Sequence, residues 1–321
     1  MKTWLPCLLV LAVWSRPLHT AKAQSQNANT TVIFATGFEK SEGYDDQLIL
    51  VGQNGWMNFG SGGNGLVTNF FDGLGQQAFI GLTGPTNSAD TFSLLRPFNF
   101  VADTTHQPIV KFSVLMSITE SSSTNRDDFR WSVYNLAQQR LFSLDFDGVT
   151  HGVNYALDDG AGFFSTGVGF TNLVIYELAI TMNFTRNLWS ASLNNLPVVN
   201  SKPISTRFDT VLNLADIDAV WSIRTPGQAG DNYLLFDEYV VTAEALPSIP
   251  PTLEAVQRLA AGQFLLKLHG ELGLKYAIDA SSDLVHWTEI KTLHATDGTA
   301  DFLDNAATNF TSQFYRARQI P

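Results

Sequence analysis

The carboxylates of this 321-residue chain invite a catalytic reading before anything else does. In LFSLDFDGVT, residues 141–150, Asp145 and Asp147 stand two apart in an otherwise apolar run, and Asp216 and Asp218 repeat the spacing in LADIDAVWSIRT. In an extended strand, residues i and i+2 share a face with Cα atoms about 6.6 Å apart, a separation at which two carboxyl groups can divide the acid and nucleophile roles of glycoside cleavage. The competing reading is structural. Phe142, Leu144 and Phe146 supply a buried face that leaves Asp145 on the outer one, and Asp147-Gly148 is a favoured dipeptide for a tight turn. Ile217, Ala219, Trp221 and Ile223 likewise stand opposite Asp216 and Asp218, which are expected on an exposed strand edge. Asp237 and Glu238 are adjacent, so a regular strand sends them to opposite faces and they are not expected to pair. Whichever of the two faces inward, among Leu235, Phe236, Tyr239, Val240 and Val241, needs a buried partner.

A second kind of site is aromatic. QNGWMNFGSGGNG, residues 53–65, sets Trp56 and Phe59 on a Gly- and Asn-rich loop, with Tyr44 upstream. The C–H face of a sugar stacks on such a ring while neighbouring amides take its hydroxyls, so Trp56, Tyr44, Asn54 and Asn58 are the expected ligand-binding residues. The alternative is that Trp56 caps the open end of a sandwich. Trp131, Trp189 and Trp221 sit on inward-reading faces and are expected in the core. The histidines His106, His151, His269, His286 and His294 are scattered, and neither a His-Glu-x-x-His motif nor a Gly-x-Ser-x-Gly elbow occurs.

The elements that must position these groups are strands. From Val32 to Ala245 apolar residues recur at period two between Gly, Asn and Asp clusters, as in KFSVLMSI and in LVIYELAITMNF, whose Val174, Tyr176, Leu178, Ile180, Met182 and Phe184 share one face. Helical periodicity never persists beyond two turns. An antiparallel β-sandwich of about a dozen strands is expected over 32–245. SIPPTL then reads as a Pro-rich linker, 246–252, because adjacent prolines cannot join a sheet interior. A smaller β-sandwich is expected over 253–321, opened by a hairpin that turns at Ala261-Gly262.

The N-terminus sets the expected compartment. Lys2, the apolar stretch WLPCLLVLAVW and Ala21-Lys22-Ala23 together read as a secretory signal peptide, 1–23, followed by a disordered leader, 24–31. Export places the protein outside the cell or at its surface, and the single cysteine, Cys7, leaves with the signal. Losing Lys2, Arg16 and Lys22 as well leaves roughly 16 basic against 30 acidic residues, a net charge of about −14. Such a chain repels phosphate backbones, so nucleic acid and anionic lipid are poor partners. No apolar run after the signal is long enough for an integral membrane segment.

YELAITMNFTRNLWSASLNNLPVV, TGFEKSEGY and NYLLFDEYVVTAE resemble the central hairpin and the first and last strands of laminin G-like and concanavalin-like jelly rolls. The likeness covers 32–245 and implies an all-β jelly roll. Jelly-roll carbohydrate-binding modules hold a structural calcium between an early Glu and an Asp on the last strand, and Glu39 and Asp237 occupy comparable places. Concanavalin-like glucanases carry a Glu-x-Asp-x-x-Glu strand, whereas this chain offers Asp145-Phe-Asp147-Gly148 with no glutamate at either end. The tail, with Tyr276, Ile278, Ala280, Ser281, Asp283, Leu284 and Trp287, then Phe302, Asp304 and Phe314–Ala317, resembles a fibronectin type III-like C-terminal module of exported bacterial proteins. Asp283 is expected to brace a hairpin by accepting nearby backbone amides. The expected function is non-catalytic binding of an extracellular polysaccharide or another cell-surface component. A polysaccharide lyase or glycoside hydrolase, and a passive envelope protein, stand as alternatives.

Overall fold

The computed structural model describes residues 30–85, 90–104, 106–245, 250–259, 262–270, 274–296, 298–310 and 312–320. The expected signal peptide and most of the leader lie outside them. The chain divides into two compact units, one reaching residue 245 and one starting at 246.

The first unit is built from β1 (Thr30–Thr36), β2 (Met57–Phe59), β3 (Asn64–Thr68), β4 (Gln76–Gly81), β5 (Thr91–Leu95), β6 (Ile109–Ile118), β7 (Asp128–Tyr134) and β8 (Arg140–Phe146). It continues through β9 (Gly152–Leu157), β10 (Phe164–Gly169), β11 (Tyr176–Asn183), β12 (Leu188–Leu193), β13 (Leu196–Pro203), β14 (Asp216–Ser222) and β15 (Tyr233–Glu244). An eight-stranded sheet runs β13-β12-β11-β6-β15-β4-β3 with β1 also on β15, and a seven-stranded sheet runs β10-β9-β8-β7-β14-β5-β2, with antiparallel pairing throughout. The unit is thus an antiparallel jelly-roll sandwich, with more strands than the sequence suggested. The two-residue reversal between β12 and β13 sets Asn194 and Asn195 at φ 48° and 64°, the left-handed pair that a tight hairpin turn requires.

Period-two alternation buries one face of each sheet, and the core between them is aromatic. Trp131 meets Phe112 and Phe236 with ring centroids 5.1 and 5.4 Å apart, and Phe142 stacks on Trp189 at 4.0 Å. The Tyr239 hydroxyl, wholly buried on β15, donates to the Ile217 carbonyl of β14 at 3.0 Å and so ties one sheet to the other. Each such ring contributes roughly 1.5–3 kcal/mol by leaving water.

β15 changes partner along its length. Tyr233–Phe236 pair with β4, while Tyr239–Glu244 pair with β1. Between those stretches the register with β6 slips, and Glu238 takes φ 49°. A β-bulge thus falls where one neighbour ends and the next begins. Thr30 and Thr31, expected in the disordered leader, instead pair with Glu244 and Ala243, because the long β15 offers those residues a ladder.

The second unit holds β16 (Thr252–Arg258), β17 (Phe264–His269), β18 (Lys275–Ser281), β19 (Thr288–His294), β20 (Thr299–Asp304) and β21 (Phe314–Ile320). They form two three-stranded sheets, β16-β17-β20 and β19-β18-β21. Thr252, expected in the linker, opposes His269 in the first hairpin. Leu268, Tyr276, Ile278, Leu293 and Ala295 make the small core. Asp283 accepts from the Val285 and His286 amides at 2.9 and 2.8 Å, bracing the turn between β18 and β19.

Candidate functional site

The outer face of the seven-stranded sheet gathers the ionisable residues. Its register aligns Asn154, Asp145, Arg130, Val220, Ser93 and Phe59 in one row across β9, β8, β7, β14, β5 and β2. A second row holds Ala156, Ser143, Ser132 and Asp218, and a third Arg140, Tyr134 and Asp216. Sequence reading missed Arg130, Tyr134 and Arg140. The signal was present in FRWSVYN, whose alternate residues Arg130, Ser132 and Tyr134 must face away from Phe129, Trp131 and Val133.

Asp145 lies on this outer face, as its strand neighbours require, yet it is only 3 % exposed. Arg130 Nε donates to its Oδ1 at 2.7 Å, Asn154 Nδ2 to its Oδ2 at 3.3 Å, and the Arg130 guanidinium lies 4.5 Å from the Phe163 ring centroid. Burial raises the Asp145 pKa against the pull of Arg130 and Asn154. Asp147 lies apart from this arrangement, in the turn, where its Oδ1 accepts from the Val149 and Thr150 amides and meets Arg224 at 2.5 Å. Burial would raise its pKa, but Arg224 and the turn amides outweigh it and hold the carboxyl ionised. The two residues are therefore not a matched acid and nucleophile pair.

Asp216 and Asp218 overturn the expectation of an exposed strand edge. β14 is central, hydrogen-bonded to β7 on one side and β5 on the other, and the two carboxyls are 1 % and 2 % exposed. Asp216 Oδ2 and Asp218 Oδ1 have no hydrogen-bond partner. Burial pushes both pKa values up, and the Asp216 charge pushes Asp218 further. Their charges, together with burial, also raise the pKa of the Tyr134 phenol. Asp216 and Tyr134 thus share a row with Arg140, and Asp218 lies in the row beside it. Exposed aromatics complete the picture: Phe59 at the β2 edge, Phe163 against Arg130, and the fully exposed Phe208.

The expected aromatic platform is a correction. Trp56 and Tyr44 are buried, and Trp56 Nε1 donates to the Tyr44 hydroxyl at 3.0 Å. Trp56 packs among Phe38, Phe236 and Tyr239, its ring centroid 5.6, 6.1 and 5.5 Å from theirs. Its neighbours Gly52 to Gly55 carry it inward because a large ring gains more from the core than a loop can offer it. Asn54 and Asn58 remain exposed, but their amides serve the loop, donating to the Glu42 and Gly60 carbonyls at 3.1 and 2.8 Å. The four residues form no common ligand surface.

Glu39 and Asp237, by contrast, come together at the β15 bulge. A Cβ at Gly37 would lie 3.7 Å from both Asp237 Oδ1 and Glu238 Oε1 and 3.9 Å from Glu39 Cγ. The bulge breaks the strand alternation that would have kept Asp237 and Glu238 apart. Asp237 is wholly buried, with Gln77 Nε2 donating to its Oδ2 at 3.1 Å and the Glu238 amide to its Oδ1 at 2.7 Å. Burial, with the Glu238 and Glu39 charges adding to it, raises its pKa to about 7 against the opposing Gln77 bond. Gln76 gives its backbone amide to Glu39 Oε1 and its side-chain NH₂ to the Phe38 carbonyl, which leaves its buried Oε1 without a partner. Gly75, at φ 72°, admits the Glu39 carboxylate where any Cβ would lie 1.9 Å from Oε1. Among the described residues no set of three or more His, Cys, Asp or Glu side chains stands ready to hold a metal ion. A calcium ion here would draw on the carboxyl oxygens of Glu39 and Asp237, the donor type that this hard cation takes.

No helix among the described residues is long and apolar enough to cross a membrane. No family model matches the chain, and no curated protein matches it in sequence. Among solved structures it is similar to a sialidase at 8% identity and TM-score 0.43, over 58% of this chain and 17% of that one. A carbohydrate esterase from a Shiga toxin-encoding bacteriophage gives 14% and 0.46, over 67% and 100% of the two chains. An endo-β-1,4-glucuronan lyase from the fungus Trichoderma reesei gives 9% and 0.45, over 66% and 95%. The chain spans less than a fifth of the sialidase. With identities and TM-scores this low, the fold rests on the sheet topology and the site on its own residues.

Proposed function

We propose that residues 30–245 form an extracellular glycan-recognition domain that receives its ligand on the outer face of the seven-stranded sheet. The observation that supports this reading is the convergence there of the half-buried Arg130, Asn154, Tyr134 and Arg140, backed by the buried Asp145, Asp216 and Asp218, together with exposed Phe59 and Phe163. Charged and amide groups on a rigid sheet orient sugar hydroxyls, and exposed rings stack on C–H faces. Secretion rests on the N-terminal segment. Calcium at Glu39 and Asp237 would secure the β1–β15 junction and take no part in recognition. The second unit, with its β16-β17-β20 and β19-β18-β21 sheets, supports a fibronectin type III-like spacer or attachment module.

A second reading, cleavage of the bound polysaccharide, is favoured by one feature: two buried carboxyls with raised pKa values, Asp216 and Asp218, in the rows that hold Tyr134 and Arg140. One experiment separates the two. The mature protein is screened against a polysaccharide array with and without calcium, and the same wells are assayed for reducing or unsaturated ends. Retention without product, weakened in Tyr134→Ala, supports recognition. Product formation moves the domain to the enzymes, and silence in both channels sinks both readings in favour of a passive envelope role.

A further inference from the structure

We propose that the ligand of the outer face is an acidic polysaccharide whose anionic group, a uronate carboxylate or a sulfate ester, is held between Arg140 and Arg207. The inference rests on the glycan reading above and narrows it to a substrate class. A pocket of about 350 Å³, inside the ~300–1,000 Å³ range of small-ligand sites, is lined by Gln139, Arg140, Asp158, Gly160, Arg207 and Thr210. Arg140 joins this pocket to the sheet face. Its Nη1 donates to Ser143 Oγ at 3.2 Å and its Nη2 to the Leu157 carbonyl at 2.8 Å, and Ser143 Oγ lies 2.7 Å from Ser132 Oγ in the row that ends at Asp218.

The charge of the pocket is what selects the ligand. Arg126, Arg130, Arg224, Arg316 and Arg318 each pair with a carboxylate. Arg140 and Arg207 have no ion pair among the described residues. Asp158, the acid in the lining, keeps its charge, so the two arginines outnumber it by one; its oxygens are taken up locally, Oδ2 accepting from Ser205 Oγ and Oδ1 from the Thr206 amide and hydroxyl at 2.8 and 2.6 Å. Ser205 Oγ in turn accepts the Arg207 amide at 3.1 Å, which fixes the backbone that carries the second guanidinium. Two arginines without an ion pair line one pocket in a chain with 30 acidic and 19 basic residues. Planar guanidinium forks match the oxygens of a carboxylate or sulfate bidentately, whereas a neutral sugar leaves both charges unanswered. Phe208, fully exposed next to Arg207, offers a ring to the same sugar.

The test is affinity electrophoresis of the full chain through gels containing uronate polymers (alginate, pectate, hyaluronan), sulfated polymers (dextran sulfate, carrageenan) or neutral polymers (laminarin, xylan, dextran). Retardation in a uronate or sulfated gel, weakened roughly tenfold or more in Arg207→Gln with an unchanged melting temperature, is the expected result, and the retarding gel tells carboxylate from sulfate. Arg207 is exposed, so its variant stays informative even if Arg140→Gln fails to fold. Retardation by neutral polymers alone, or acidic binding indifferent to Arg207→Gln, overturns the inference and leaves glycan recognition standing. Passage through every gel without delay takes down both.

Discussion

Asp145 and Asp218 lie on the same face of the same sheet, two strands apart, and both are buried. Asp145 has Arg130 at 2.7 Å and an Asn154 amide, and Asp218 has only another carboxyl. Burial raises both pKa values, but the first carboxyl is answered by a cation and the second faces another carboxyl that pushes its pKa further up. The difference comes from the neighbouring strand: the residue opposite Asp145 on β7 is Arg130, and the one opposite Asp218 is Ser132. A third buried carboxyl, Asp237, has no cation and accepts instead from the Gln77 amide and the Glu238 N–H at a bulge, with the Glu238 carboxylate nearby. Partner identity, not depth, separates a salt-bridged carboxylate, a carboxyl set against another and a candidate cation ligand.

The sharpest way to break this contrast is to make Asp145 resemble Asp218. Arg130→Met leaves a buried carboxyl without its cation and should cost about 3–5 kcal/mol at pH 7, with a smaller loss at pH 4.5, where Asp145 takes up a proton. Urea unfolding at the two pH values reads both numbers. Supplying a cation to Asp237 should work in the opposite direction. Calcium at a hundredfold excess over its Kd should stabilise the chain by about 2.7 kcal/mol, and Asp237→Asn should abolish the gain. Because the Asp237 pKa is raised to about 7, calcium must displace a proton below that value, so the melting-temperature shift should be larger at pH 8 than at pH 6. An equal shift at both pH values, or none, counts against the site.

Removing the unanswered charge tests the other side of the contrast. A raised pKa means that the folded chain holds more protons than the unfolded one, so stability is greatest below the ordinary carboxylate range, near pH 3.9, and falls as pH climbs toward the raised value of Asp218. Asp218→Asn should flatten that decline and add roughly 1–2 kcal/mol at pH 8. Thermal melts from pH 4 to pH 8 decide it, and an unchanged slope would show that another group dominates. The smallest effect is expected at a neutral buried pair. Tyr44→Phe strands the Trp56 indole N–H and should cost about 1 kcal/mol without changing glycan retention, since neither ring reaches solvent. Lost retention in that variant would return the site to the loop.

Alternation of apolar residues carried the all-β class, the outward side of Asp145 and the core positions of Trp131, Trp189 and Trp221, because a strand repeats every two residues whatever its neighbours are. Asp147-Gly148 was legible as a turn for the same local reason. Burial of Trp56 and of Asp216 and Asp218 was not. A loop tryptophan has no period that says whether it turns in or out, and a polar strand face is exposed or covered according to what packs above it.

Pairing was equally hidden. Arg130 meets Asp145, and Arg140 approaches Tyr134 and Asp216, only through a register that joins separate strands. Glu39 and Asp237, nearly two hundred residues apart in a chain of 321, meet because β15 changes partner at its bulge. The sequence by itself determined which residues could line one side of each strand, since that follows from backbone geometry. Only the tertiary structure decided which of those sides are covered, which charges answer one another and which two arginines are left facing a pocket, since each of those depends on contacts between residues that the chain order keeps apart.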